Sequence, residues 1–168
     1  LPPPRPGERR DIHVFPTFGT DFYSFNCRPK LSNGAPNPFA DRAVRRAFSM
    51  ALDKQVIVDR VTRLREPVMT TLIPVGSIPG YQSPAGLSHD TDAARRELAS
   101  AGWIDRDGDG FVEDEDGATF PVVSLLYTTN IPRYKWISLE MKSQWERELG
   151  IRVELDANMN KFAPLWPN

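Results

Sequence analysis

The run PFADRAVRRAFSMALDK at positions 38–54 constrains this chain more than any other. Proline cannot sit inside a helix, so Pro38 sets a boundary, and Asp41 is a good N-cap just after it. Val44, Ala47, Phe48 and Ala51 then fall at i, i+3, i+4 and i+7, a single apolar stripe. Arg42, Arg45 and Arg46 take the opposite face. Asp53 restarts the pattern, with Val56, Ile57, Arg60, Val61 and Leu64 at helical spacing. The residues therefore predict two short helices joined at Asp53.

The rest of the chain supplies their partners. Residues 12–15 and 21–26 read as strands with Gly19 in the turn between them, and Phe22 and Tyr23 must face opposite sides of the second. Residues 28–38 form a polar loop around an Asn33-Gly34 turn. Residues 67–86 carry Pro67, Pro74, Pro79 and Pro84 and are expected to be irregular. A helix at 91–101 stops at Gly102. Residues 120–127 read as a strand whose near-continuous apolar character predicts burial on both faces. A helix at 133–149 lines up Ile137, Met141, Trp145 and Leu149 and stops at Gly150. Residues 151–155 alternate as a half-buried strand. Strand, helix and strand across 122–155 are expected to form a right-handed parallel crossover. The fold class is α/β, a mixed sheet flanked by helices, with no internal repeat.

Bulk properties narrow the function classes. The 168 residues are enough for one domain with a real core. A formal charge of −1 gives no electrostatic reason to expect nucleic acid or a membrane surface as partner. No apolar run approaches the ~20 residues of a membrane span. The proline- and arginine-rich opening LPPPRPGERR lacks the apolar stretch of a signal peptide. Residues 1–10 are expected to be a disordered leader or cloning edge, and 11–168 a single lobe. Cys27 is the only cysteine, so no intrachain disulfide can form. It reads as a small, semi-buried side chain at a strand end. Neither His13 nor His89 has a sequence-level partner. With no nucleophile elbow and no activated pair to name, an enzyme is the least favoured class.

Several pieces together resemble a known family. They are Asn26 followed by Pro38-Phe-x-Asp-x-x-Val-Arg-x-Ala-Phe-x-x-Ala-x-Asp-Lys, the loop Leu72-Ile73-Pro74, and the helix with Asp90, Ala94, Leu98, Ala101, Gly102 and Trp103. Gln144-Trp145 on a helix and a strand with Gly150, Ile151, Val153 and Leu155 follow in order. The chain resembles the family 5 extracellular solute-binding proteins, the oligopeptide- and dipeptide-binding components of ABC importers. The resemblance implies an internal piece of the second lobe of a type II periplasmic-binding-protein fold, with the ligand held between lobes. It also implies a peptide or other small solute as ligand, membrane permease subunits as partners of the full-length protein, and no required cofactor. No direct membrane insertion by this stretch follows from it. The location implied is periplasmic or extracellular, with lipoprotein anchoring compatible. A ligand-sensing domain of a transcriptional or signalling protein on the same fold is the competing implication.

Candidate ligand-binding residues cluster in two places. The connection Tyr127-Thr128-Thr129-Asn130-Ile131-Pro132-Arg133 joins a strand to a helix, where ligands of α/β folds favour binding. Its hydroxyls, amide and guanidinium suit a peptide backbone or carboxylate; helix capping by Thr129 or Asn130 with a solvated Arg133 is the bland alternative. Thr20 and Phe22 share a strand face that, by the resemblance, approaches the cleft. Trp136 and Trp145 read as core or partner-lobe packing.

The stretch at 105–116 is acidic at seven of twelve positions and basic at one, leaving 20 of the 21 basic and 15 of the 22 acidic residues elsewhere. Such a density of like charge repels itself unless neutralised. Asp105, Asp107 and Asp109 occupy positions 1, 3 and 5 of a calcium-type loop, Gly110 position 6, Phe111 the carbonyl position 7, and Glu113 position 9. Position 12 is Asp116 where the strict pattern has Glu. The expectation is a lone helix–loop–strand calcium loop with a structural ion; a solvated acidic turn is the alternative.

Overall fold

The computed structural model describes residues 3, 5–7, 19–64 and 66–158. Asn37 ties the preceding loop to the first helical turn: its side-chain oxygen accepts from the Phe39 N–H and its amide donates to Asn26 O and Arg28 O, each at 2.8 Å. A single 3-10 turn, Pro38–Ala40, follows. Asp41 then caps helix α1, Arg42–Met50, accepting from the Ala43 N–H at 2.7 Å. Such a cap contributes about 1 kcal/mol. Val44, Ala47, Phe48 and Ala51 are all fully buried. The predicted stripe is the stripe that packs.

Asp53 restarts the chain as a helix, accepting from the Val56 N–H at 3.1 Å. Helix α2, Lys54–Val56, widens at once into a π-helical segment, Ile57–Thr62, and ends at Arg63, the only non-glycine residue with positive φ among those described. The predicted second helix is present, but Leu64 does not complete its stripe and stays exposed. Residues 67–86 contain only turns and bends, as their prolines require. Helix α3, Thr91–Ser100, is capped by Asp90 and packs on α1, where the Arg46 guanidinium meets Glu97 at 2.7 Å.

Strand β1, Val123–Thr128, helix α4, Pro132–Leu149, and strand β2, Val153–Asn158, form the crossover. The strands pair in parallel, Val123 beside Val153 through Thr128 beside Asn158. Among the described residues this pair is the whole sheet, and antiparallel pairing is confined to isolated bridges such as Lys30 with Pro36 and Ile104 with Glu113. Ile137, Met141, Trp145 and Leu149 are buried as one line on α4. Gly150 stops the helix at φ 63, and a Cβ there would sit 2.4 Å from Gly110 O, so both conformation and space require glycine.

Phe48 lies at the centre of the core. Its ring meets Phe39 at 4.8 Å, Trp145 at 5.1 Å and Phe120 at 6.0 Å between centroids, separations favourable for aromatic pairs. Gln144, also buried, accepts from Asp53 N–H at 2.7 Å and so ties the α1–α2 junction to α4.

Three expectations are corrected. Residues 21–26 form no ladder, although their side chains alternate: Tyr23 and Phe25 pack on the core while Phe22 and Ser24 are exposed. Alternation records a buried face, whereas a strand also needs a neighbouring backbone to pair with, and none is present among the described residues. Strand β1 begins at Val123 and is covered mainly on one side, with Ser124 exposed and Leu126 half-buried. The helix after it is capped neither by Thr129 nor by Asn130: the N-cap is Ile131, without a side-chain bond, and Pro132 supplies the first turn. The strand expected at 12–15, its turn toward Gly19 and most of the expected leader at 1–10 lie outside the described residues.

Candidate functional site

Because β1 and β2 are parallel, their carboxyl ends share one edge. Thr129 N–H donates to Asn158 O there at 2.9 Å, closing the ladder just before α4 begins. Of the residues singled out at this edge, Tyr127 and Thr128 are buried. Thr128 Oγ1 accepts from the Asn130 N–H at 3.4 Å, so it is engaged in shaping the turn. Thr129 and Asn130 are exposed.

Arg133, in the first turn of α4, is brought to the other candidate segment. One Nη nitrogen lies 2.8 Å from an Asp21 oxygen and 2.9 Å from a Glu66 oxygen. Its Nε is buried without a partner among the described residues. The neighbouring Tyr134 hydroxyl donates to Asp21 Oδ1 at 2.8 Å, and this bond, with partial burial, raises the phenol's pKa. The Tyr23 and Ser138 hydroxyls share a 3.0 Å bond; burial raises the Tyr23 pKa against the opposing effect of Ser138. Glu66 is held from its far side by the Thr62 hydroxyl. Thr20 and Phe22 flank Asp21: Thr20 donates to Leu72 O at 2.8 Å, and Phe22 is 65 % exposed.

The two expected patches thus meet, but through residues that sequence reasoning passed over. Asp21, Glu66, Tyr134, Tyr23 and Ser138 complete the cluster around Arg133. Asp21 stood between two chosen residues and was legible in principle as a counter-charge. Glu66 is distant in sequence and carried no signal. Chemically the cluster is a guanidinium shared by two carboxylates, ringed by phenols, at the strand edge where α/β folds bind ligands.

The acidic loop is a second, separate assembly. Asp105, Asp107, Asp109 and Glu113 each place a carboxylate oxygen within 4.8 Å of the others. Backbone donors fix them: Asp105 accepts from the N–H groups of Gly108 and Gly110, Asp107 from that of Asp109, and Asp109 from that of Phe111. Glu113 is buried and accepts from the Arg106 N–H at 3.0 Å. Asp116 lies in the next turn, where its N–H donates to Asp114, and is not one of the four. Val112 N–H donates to Gly150 O at 3.2 Å, docking the loop on the end of α4. A set of carboxylate oxygens in a tight turn is donor chemistry for a hard cation such as calcium.

Residues 4–163 match the family model described as bacterial extracellular solute-binding proteins, family 5 Middle. The chain belongs to that family. It is similar to the dipeptide-binding protein DppE of Bacillus subtilis, 25 % identical over 161 residues, which cover 90 % of this chain and 26 % of the relative. The oligopeptide-binding protein OppA of the same organism is 28 % identical over 148 residues, 86 % of this chain and 24 % of that protein. Among solved structures, the oligopeptide-binding protein AppA from Bacillus subtilis, in complex with a nonapeptide, superposes with a TM-score of 0.63 at 25 % identity, covering 72 % of this chain and 24 % of AppA. The chain therefore spans about a quarter of the length of the relatives it matches. The fold is part of one lobe of a type II periplasmic binding protein. Among the described residues no helix is long and apolar enough to cross a membrane.

Proposed function

We propose that this chain supplies part of one wall of a solute site in an extracytoplasmic receptor that hands its ligand to an ABC-importer permease. The observation that carries the reading is the family match across residues 4–163, in a family whose relatives here bear the names of dipeptide- and oligopeptide-binding proteins. A peptide is the favoured solute. The Arg133 cluster, with Thr20, Phe22, Thr129 and Asn130 around it, faces a peptide's backbone and carboxylate chemistry in this reading. The protein acts by binding and release, without bond chemistry, outside the cytoplasm. The test is calorimetry of the full-length receptor with tri- to pentapeptides, before and after Arg133→Ala. Saturable binding weakened by the substitution supports the reading. A receptor that ignores peptides overturns the choice of solute, and unchanged affinity in the variant overturns the role of the cluster.

The acidic loop is proposed, separately, to take calcium as a structural ion. The convergence of four carboxylates, from Asp105, Asp107, Asp109 and Glu113, supports it. Phe111 offers a main-chain carbonyl in the same turn, and Asp116 is the weakest member of the expected set. Thermal melting with calcium and with chelator tests it.

A further inference from the structure

A groove of about 480 Å³ runs between the π-helical segment and the outer face of α4, next to the Arg133 cluster, whose Thr62 sits between Val61 and Arg63. Arg60, Val61 and Arg63 line one side, and Trp136, Leu139 and Glu140 the other. The α4 side is the helix face turned away from the core line of Ile137, Met141 and Trp145. Trp136 is 59 % exposed there and Leu139 stands one turn further along, itself open to solvent.

The charges in the groove are unbalanced. Arg60 makes no ion pair or hydrogen bond through its guanidinium among the described residues. Among the described residues Arg63 donates only its Nε, to Arg60 O at 3.1 Å, leaving its two terminal nitrogens unused there. That bond and the left-handed backbone at φ 56 aim the side chain from the end of the helix. A non-glycine residue in this conformation carries strain that its surroundings must hold. Lys135 adds a third cation, its ammonium 5.8 Å above the Trp136 ring. The one carboxylate among the described lining residues, Glu140, is engaged by the Gln144 amide at 2.8 Å. An exposed tryptophan beside unpaired arginines is the residue chemistry enriched where proteins hold partners.

We propose that this groove docks an acidic polypeptide segment of a partner protein. An apolar side chain of the segment seats on Trp136 and Leu139, and carboxylates on either side of it pair with Arg60 and Arg63. Charge complementarity selects the partner's sign. The arrangement of anchors, apolar along one wall and cationic along the other, selects an amphipathic segment over a small anion, which would leave the apolar wall wet. The inference does not rest on the solute-binding reading.

The test uses the chain with an acetylated, amidated peptide of sequence EELFEELE, followed by the emission of Trp136. Trp136→Phe assigns the signal, and the charge-swapped peptide KKLFKKLK is the control. Saturable binding is expected for the acidic peptide only, at least tenfold weaker in Arg60→Glu/Arg63→Glu and in the milder Arg60→Gln/Arg63→Gln. Raising salt from about 50 to about 300 mM should weaken it severalfold, because exposed pairs are screened over a few ångströms at high ionic strength. Both arginines are exposed, so circular dichroism of the variants should match the parent. No saturable binding at millimolar peptide, or equal binding by the charge-reversed variant or the basic peptide, overturns the proposal. So does shielding of Trp136 from a collisional quencher in a longer receptor without any partner, since the groove would then be covered from within.

Discussion

The indole Nε1 of Trp145 donates to the main-chain carbonyl of Phe48 at 2.8 Å, joining residues 97 positions apart inside the core. The same two side chains meet with their rings tilted by 58° and their centroids 5.1 Å apart. Helix α1 and helix α4 are thus joined by one polar and one aromatic contact at a single point.

Phe48→Ala should remove the centre of the aromatic cluster and cost about 3–5 kcal/mol, enough to unfold a marginally stable domain. Trp145→Phe keeps most of the packing but strands a buried carbonyl, so a smaller loss of about 1–3 kcal/mol is expected. Urea melts followed by circular dichroism rank the two. An unchanged midpoint for Phe48→Ala would remove the core assignment.

The Arg133 cluster has a spectroscopic signature. Asp21 holds the Tyr134 phenol above its ordinary range, first through their hydrogen bond. Asp21→Asn should therefore lower the titration of Tyr134, read as tyrosinate absorbance on raising pH against a Tyr134→Phe control. An unmoved titration would mean that the two groups do not meet in solution.

A pH effect on stability follows from Glu146. Desolvation pushes its carboxyl up, but hydrogen bonds from Lys142 and from the Val153 N–H outweigh this, and the net shift is downward from 4.5. The folded pKa lies below the unfolded one, so the contribution is fully present above about 4.5 and is lost as pH falls through the depressed folded value. Glu146→Gln should lower the melting temperature at pH 7, and the gap between variant and parent should close in strong acid. The group is exposed enough for solvent to keep the effect small. A gap that is constant with pH would show that the ion pair adds nothing.

Calorimetry of this chain with mixed tri- to pentapeptides should give no heat. It spans about a quarter of its relatives, and in a two-lobed site closure supplies much of the burial. Micromolar binding would mean that the site is complete in this stretch.

Local periodicity made the helices legible. Val44 to Ala51 and Ile137 to Leu149 repeat at helical spacing, and caps such as Asp41, Asp53, Asp90 and the Gly150 stop are chemistry readable one residue at a time. Pairing was harder. Residues 21–26 alternate like a strand, yet a ladder depends on a second backbone that their own residues do not encode. Strand β1 read as doubly buried because an apolar run does not say how many layers cover it. At the candidate site, Arg133 and the neighbourhood of Asp21 were readable, but Glu66 joins them only through tertiary approach. The π-helical widening after Val56 also left no mark in the apolar spacing, since Ile57 and Val61 fit an α-helix equally well.

The acidic loop gives the most direct test. Asp105, Asp107, Asp109 and Glu113 crowd four carboxylates together, and in the metal-free loop backbone donors, the Arg106 N–H among them, offset part of their repulsion. An ion that binds only the folded loop stabilises it by mass action. With a single unpaired loop, and with Asp116 drawn into the next turn, affinity should be modest, about 10⁻⁴–10⁻³ M, as in extracellular modules. Millimolar calcium should raise the melting temperature, and equal magnesium should raise it less, because its octahedral demand is stricter. Asp107→Asn/Asp109→Asn should abolish the calcium shift while leaving the Asp107 and Asp109 turns able to accept through their amide oxygens. That substitution also relieves repulsion, so the metal-free double variant should melt slightly above the metal-free parent. Asp116→Asn should leave the calcium shift nearly intact if the four clustered residues are the donors. Identical melts with calcium and with chelator would leave a plain acidic turn, held by its own backbone and docked on Gly150.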